Sequence, residues 1–211
     1  MKTAALVPVK CLTRANRRLR TEFSDLEVEA LARAMLCDVL DALRPTSLAR
    51  IEVLTADSAV RRVAEAAGAE VRSEVPDPGL NAVVDRASVR LAREGFDASL
   101  VVLGDLPLLR PAHVEAVLAA SENAQVVVVP AADGGTAMLL RSPAACLPAQ
   151  FGVESGALHL RRAFELGLRA VSLTSIEEEV RVDLDTPEDA RRLVGAGVDC
   201  RTRRALEEML G

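Results

Sequence analysis

The chain has no tryptophan, no tyrosine and only four phenylalanines. Its core must therefore be built from Ala, Val and Leu. The aromatic platforms on which single-stranded nucleic acid stacks are missing. Positive charge is not in excess: 26 Lys and Arg stand against 31 Asp and Glu, a net −5. That is the wrong sign for a large phosphate-backbone footprint. Histidine occurs twice, and Cys11, Cys37, Cys146 and Cys200 contain no CxxC pair. A zinc site of ordinary ligand spacing is excluded, and reduced thiols of a cytosolic protein are expected. No apolar run approaches the ~20 residues that span a bilayer. Met1 leads into a short strand without the longer apolar stretch and cleavage site of a secretory signal. These absences give the expectation of a cytoplasmic protein with no nucleic-acid and no membrane partner. Neither GxxxxGK[ST] nor GxGxxG occurs, so a nucleotide has to be held by another arrangement.

What is present is alternation. With 211 residues, half of them apolar, the chain suits a single domain over residues 1–211. Ala4 to Val9 reads as a strand. Ser24 opens a helix, with Glu27 completing a capping box and Leu31, Met35, Val39 and Leu43 at helical spacing. Arg50 to Thr55 reads as a strand, Val60 to Ala67 as a helix stopped by Gly68, and Glu70 to Arg72 as a short strand. The segment Pro76-Asp77-Pro78-Gly79 is a turn or loop. A helix from Leu80 to Glu94 ends at Gly95. Further on come a strand at Ser99 to Leu103, a helix at Val114 to Ala120, and a nearly all-valine strand at Gln125 to Val129. A strand at Ala137 to Leu140, a helix at Leu158 to Leu166, and short strands at Val171 to Leu173 and Val180 to Leu184 follow. Thr186 with Pro187, Glu188 and Asp189 is a strong helix start, and Arg201 to Leu210 has the pattern of a last amphipathic helix. The expected fold is α/β, a mostly parallel sheet with helices on both faces. Ligands then gather beyond the carboxyl ends of the strands.

The loops after the strands carry the candidate chemistry. Lys10, Arg14, Arg17 and Arg18 after the first strand could meet a triphosphate or form a solvated basic loop. Asp105, between Gly104 and Leu106, could hold magnesium, which takes one or two protein carboxylates plus phosphate oxygens and water. It could equally cap the next turn. Asp133-Gly134-Gly135-Thr136 offers an anion nest and a hydroxyl, although a hairpin turn is the better reading of the loop alone. Gly152 and Ser155 precede a helix whose free amides and dipole would attract anions. His159 lies one turn inside that helix and could touch an acceptor; His113, on an exposed helix start, carries no function. Asp183 and Asp185 share one strand face, where two acids repel unless a cation lies between them.

Together these segments resemble the guanylyltransferase family of coenzyme F-420 biosynthesis, which activates phosphoenolpyruvate or 2-phospho-L-lactate. The resemblance is carried by Val7-Pro8-Val9-Lys10 with Leu12, Arg14 and Leu19, by Leu80-Asn81-Ala82, and by Asp105-Leu106-Pro107. Gly134-Gly135-Thr136, Phe151-Gly152 with Ser155 and His159, and Asp183 to Asp189 complete it. It runs in order over nearly the whole chain. It implies a three-layer nucleotidyltransferase fold. It also implies magnesium on Asp105 with Asp183 or Asp185, and contacts to phosphoenolpyruvate from Thr136, Gly152 and Ser155. GTP would be held by Lys10, Arg14, Leu80 and Asn81. Departures are Ala137 where the family often has Asn, Asn16 where it has Lys, and Gly156 where it has Phe. The acceptor therefore stays open between phosphoenolpyruvate, 2-phospho-L-lactate and 3-phosphoglycerate. Nucleotidyl transfer to molybdopterin or a sugar phosphate, and a non-catalytic GTP-binding module, remain as rivals. Oligomeric state, including a homodimer, is not fixed by the residues.

Overall fold

The computed structural model describes residues 1–10, 18–73, 79–176, 180 and 184–211. Strands β1 (Thr3–Pro8), β2 (Arg50–Leu54), β3 (Glu70–Arg72), β4 (Ala98–Val102), β5 (Val126–Pro130), β6 (Thr136–Arg141) and β7 (Ala170–Ser172) form one sheet. Their order is β3-β2-β1-β4-β6-β5-β7. The β1–β2, β1–β4, β2–β3 and β5–β7 pairs are parallel, and β6 runs antiparallel to both of its neighbours. The expected, mostly parallel α/β sheet is what forms.

Alternation along each strand divides the core in two. Ala5, Val7, Leu100, Val102, Val127 and Val129 face one layer. That layer contains α1 (Asp25–Leu43), α2 (Ser58–Ala66), α4 (Pro111–Ala120), α6 (Pro187–Gly195) and α7 (Arg201–Leu210). Ala4, Leu6, Val101, Val126 and Val128 face α3 (Leu80–Arg93) and α5 (Ser155–Glu165). Both faces of the sheet are covered, which is why its central strands read as unbroken apolar runs.

Helix starts follow their local chemistry. The Ser24 hydroxyl accepts from the Glu27 amide, and the Glu27 carboxylate accepts from the Ser24 amide at 2.7 Å. Thr186 and Asp189 repeat this box at α6. Two helices begin earlier than their apolar periodicity suggests. Pro111, with its preset φ, starts α4. His113 is consequently buried rather than exposed, and its Nδ1 accepts the Arg110 amide at 3.1 Å. Helix α5 starts at Ser155, through Glu154 in the left-handed region at φ 54°. The Pro76–Pro78 part of the expected loop, and residues 181–183 of the expected strand at Val180 to Leu184, lie outside the described residues.

Two carboxylates of α1 hold the start of α7: Asp41 accepts from the Arg201 guanidinium at 3.0 Å, and Asp38 is the buried one. Asp38 accepts from the Arg201 amide (2.9 Å), the Thr202 amide (2.9 Å) and the Thr202 hydroxyl (2.6 Å). Replacing Asp38 by Ala leaves these donors unsatisfied at the start of α7, and the expected cost is roughly 2–3 kcal/mol. Urea denaturation followed by circular dichroism measures it. A loss under about 0.5 kcal/mol would mean that water replaces the carboxylate at those amides.

Candidate active site

The reversal of β6 decides what shares the active edge of the sheet. Strands β1 and β4 are parallel neighbours whose connections leave in opposite directions, the topological switch point at which ligands bind in such sheets. Lys10 follows β1 and is exposed there. Gly104 and Asp105 follow β4. Because β6 runs backwards beside β4, its first residue, Thr136, lies at the same edge. Lys10, Asp105 and Thr136 thus belong to three consecutive strands of one edge. A Cβ on Gly104 would come within 3.1 Å of Val9 Cγ2, so this glycine lets the β4 turn close against the end of β1.

Asp105 is half-buried. Its backbone carbonyl accepts the Leu184 amide at 3.4 Å, which brings the Leu184–Asp185 segment beside it. Asp185, whose side chain is exposed, forms an ion pair with Arg18 at 3.3 Å. Both partners of that pair are well exposed to solvent, so it contributes little to stability. Arg14 and Asp183 lie outside the described residues. Among the described residues no group of three or more His, Cys, Asp or Glu converges on a metal position. The donors gathered at this edge are carboxylate oxygens, the chemistry that magnesium selects when phosphate oxygens and water complete its shell.

The other half of the edge is built around α5. Thr136, Ser155 and His159 are buried together. The Thr136 hydroxyl is 2.9 Å from Ser155 Oγ and 3.1 Å from His159 Nδ1. His159 Nε2 lies 2.9 Å from the Gln150 amide nitrogen. A backbone N–H can only donate, so Nε2 must accept. In the neutral ring the proton then sits on Nδ1 and is donated to Thr136 Oγ1. The Thr136 and Ser155 hydroxyls share the remaining hydrogen bond, in which either oxygen can donate. His159 therefore acts through Thr136 and Gln150, and both of its ring nitrogens are engaged.

Of the two loops read as offering free amides, the first is the hairpin that its sequence favoured, and the second is corrected. Gly134 N–H donates to Ala131 O, and Gly135 N–H donates to the Asp133 carboxylate at 2.8 Å, so this loop is a hairpin turn and its amides do not form an open anion nest. At the start of α5, Ser155 N–H donates to Gly152 O and Gly156 N–H donates to Gly134 O at 3.2 Å. The helix dipole remains available, but these two amides are occupied. The Gly156 contact also explains why glycine stands there: a Cβ would meet Gly135 O at 2.9 Å. Ala137 is buried in the layer of α1, on the sheet face away from α5.

Leu80 and Asn81 open α3. The Asn81 side chain does not project into open space: its Oδ1 accepts the Phe151 amide at 2.7 Å, and its Nδ2 donates to the Phe151 carbonyl at 3.2 Å. Sequence reasoning misses two further residues. Arg141 is fully buried at the end of β6 and pairs with Asp85 of α3 at 2.9 Å. Asp85 also accepts the Ala149 amide at 3.0 Å. The available signals were an arginine closing an apolar strand, and Asn81 and Asp85 spaced by one helical turn. Gly152 itself is exposed, at φ 143°.

This arrangement can be set beside known proteins. The chain matches the family described as "Guanylyl transferase CofC like" over residues 3–210. It belongs to that family. A protein from Rubrobacter xylanophilus named phosphoenolpyruvate guanylyltransferase is 40% identical over 210 residues, 97% of this chain and 100% of that protein. A 3-phospho-D-glycerate guanylyltransferase from Phenylobacterium zucineum is 36% identical over 210 residues, covering 97% and 95% of the two chains. A solved structure from Desulfovibrio desulfuricans, described as a nucleotide-diphospho-sugar transferase, superposes with a TM-score of 0.82 at 16% identity, over 99% of this chain and 95% of that one. The last likeness concerns the fold, which is that of the nucleotidyltransferases. As a CofC-like guanylyltransferase, the chain carries its Thr136–Ser155–His159 cluster within the matched span.

Burial, helped by the nearby Arg141 cation, pushes the His159 pKa from 6.5 down to about 4, against the pull of the Ser155 carbonyl and Asp85. The folded ring is therefore neutral at pH 7. The unfolded chain binds this proton below pH 6.5 and the folded one only near 4. The stabilising contribution is thus complete above pH 6.5 and lost as pH falls toward 4. Between pH 7.5 and pH 5 it amounts to about 2 kcal/mol. In His159→Asn that pH-dependent part should vanish, and denaturant titrations of both proteins at the two pH values measure it. Equal pH sensitivity in the two proteins would show that the ring binds its proton equally in the folded and the unfolded chain.

Proposed function

We propose that the protein is a magnesium-dependent phosphoenolpyruvate guanylyltransferase of coenzyme F-420 biosynthesis, working in the cytoplasm on GTP. The observation that carries this reading is the shared edge. The β1/β4 switch point with Lys10 and Asp105 adjoins the hydrogen-bonded hydroxyls of Thr136 and Ser155, in a chain of the guanylyltransferase family. The relative named for phosphoenolpyruvate is 40% identical along its whole length, which favours that acid over 3-phosphoglycerate.

The reaction needs no strong base, because the acceptor's phosphate is already ionised at neutral pH. An oxygen of that phosphate attacks the α-phosphorus of GTP. The bond from the α-phosphorus to the oxygen bridging it to the β-phosphorus breaks, and pyrophosphate leaves. The product is a diphosphate linking guanosine to the enolpyruvoyl group. The barrier is the approach of one anion to another. Magnesium, held by Asp105 with Asp183 or Asp185, would supply charge neutralisation at the triphosphate. Lys10 would add positive charge beside it, a role the resemblance also gives Arg14, and Leu80 would mark where α3 reaches the nucleotide side. On the acceptor side Gly152 brings bare backbone to the surface. Ser155 and Thr136 align the acid, and the dipole of α5 favours its charge. A neutral His159 adds no charge; its Nδ1–H donates to the Thr136 hydroxyl and holds it in place.

Pyrophosphate release from GTP and magnesium tests the reading, with phosphoenolpyruvate, 2-phospho-L-lactate and 3-phosphoglycerate supplied separately. Release should depend on phosphoenolpyruvate and should stop when EDTA removes the divalent ion. Asp105→Ala should retain the fold and lose rate on the order of 100- to 1000-fold. Near-normal turnover of a folded Asp105→Ala protein would remove Asp105 from the metal site. Release with only one of the other acids would reassign the acceptor while keeping the reaction.

A further inference from the structure

Asn81 stands in the first turn of α3, in the segment expected to meet GTP, yet its side chain is committed elsewhere. It forms a two-point pairing with the backbone of Phe151, 70 residues away. The alternative amide orientation would set NH2 against N–H and oxygen against carbonyl, so the pairing itself fixes the orientation. One turn further along α3, Asp85 accepts the Ala149 amide and is anchored by the buried Arg141 guanidinium. Arg141 also donates to the Leu147 carbonyl at 2.8 Å. The spacing of four places Asn81 and Asp85 on one helix face. Between their targets, the Gln150 amide donates to His159.

Three consecutive amides, at residues 149, 150 and 151, are therefore held by three side chains from two helices. The next residue is Gly152. A Cβ there would meet nothing within 4 Å, so packing does not locate this residue. Glycine backbone has little conformational preference of its own. Its position is set by the Ser155 amide, which donates to its carbonyl, and by Phe151, whose ring also packs edge-on against His159 at 5.2 Å between centroids.

We propose that Asn81 is a positioning residue for the acceptor loop, holding Phe151 so that Gly152 and Ser155 meet the phosphorylated acid, and is not a guanine-nucleotide ligand. The inference rests on the acceptor-side reading of Gly152 and Ser155. It makes the start of α3 a support for the acceptor half of the site, although it is adjacent in sequence to the nucleotide half.

The test varies GTP and phosphoenolpyruvate independently for the wild type, Asn81→Ala and Asn81→Asp. Asn81→Asp keeps an acceptor for the Phe151 amide but turns oxygen toward the Phe151 carbonyl. Asn81→Ala should raise the KM for the acid about tenfold and leave that for GTP within about twofold, with Asn81→Asp in between. A raised GTP KM with an unchanged acid KM makes Asn81 a nucleotide ligand and overturns the proposal. So does the absence of any change. Amide hydrogen exchange without substrates gives a second reading that is independent of turnover. Phe151 and Gln150 should exchange faster in Asn81→Ala while Leu91, deep in α3, keeps its protection. Unchanged exchange at Phe151, or loss of protection throughout α3, overturns the proposal. If the wild type releases no pyrophosphate with any of the three acids, the functional reading fails, and the exchange result still decides whether Asn81 holds the loop.

Discussion

The antiparallel insertion of β6 between β4 and β5 is the constraint on which the site depends. Had β6 run parallel to β4, its first residue would lie at the opposite edge of the sheet, far from Asp105. Reversal brings Thr136 to the edge that already carries the ends of β1 and β4. It also requires the short hairpin from Ala131 to Gly135, and that hairpin then seats the first turn of α5 through the Gly134 carbonyl and the Gly156 amide. A single topological choice thus sets Thr136, Ser155 and His159 beside the ends of β1 and β4. The glycines serve this close contact: their own amides are consumed in holding it together.

The second dependence is electrostatic. Arg141 is a guanidinium with no exposed surface, paired with a carboxylate that is itself partly solvated. Such a cation is expensive to bury and is retained only when several acceptors surround it. Here they are Asp85, the Leu147 carbonyl and the Ser88 hydroxyl. Burial lowers the Arg141 pKa and the Asp85 carboxylate counteracts this. Burial keeps His159 neutral, with the same cation adding to the effect, and neutrality is what lets Nε2 accept from Gln150. A charged imidazolium would have to donate at both nitrogens and would leave the Gln150 amide facing a donor. The buried arginine therefore does not need to touch substrate to influence the geometry of the acceptor loop.

Local chemistry was legible in the sequence to the extent that it is local. The capping boxes at Ser24–Glu27 and Thr186–Asp189, the valine-rich central strand and the strand ends carrying Lys10 and Asp105 all follow from neighbouring residues, and the structure shows them. Helix starts were read too late at α4 and α5, where the apolar periodicity begins at Val114 and Leu158, three residues inside each helix. The strap beneath Gly152 was not legible at all, because its bonds join residues 56 to 70 positions apart. The resemblance assigned Asn81 to the nucleotide side; only the folded chain shows its side chain turned toward Phe151.

This geometry separates what a guanylyltransferase must keep from what it can change. In the proposed reaction, attack on the α-phosphorus requires an acceptor phosphate and a neutralised triphosphate, and those demands would fall on the β1/β4 edge. The acids that relatives are named for share a phosphate and a carboxylate and differ by a few atoms beside them. The acceptor loop is joined to the catalytic edge through Thr136 and the hairpin, and to the helices behind it through Asn81, Asp85 and His159. A substitution that shifts Gly152 or reshapes the Gly134–Gly156 contact would alter the fit of the acid while Asp105 and Lys10 stay in place. Specificity for a small acid can therefore drift in this fold without rebuilding the chemistry, as a family with differently named acceptors along full-length matches requires.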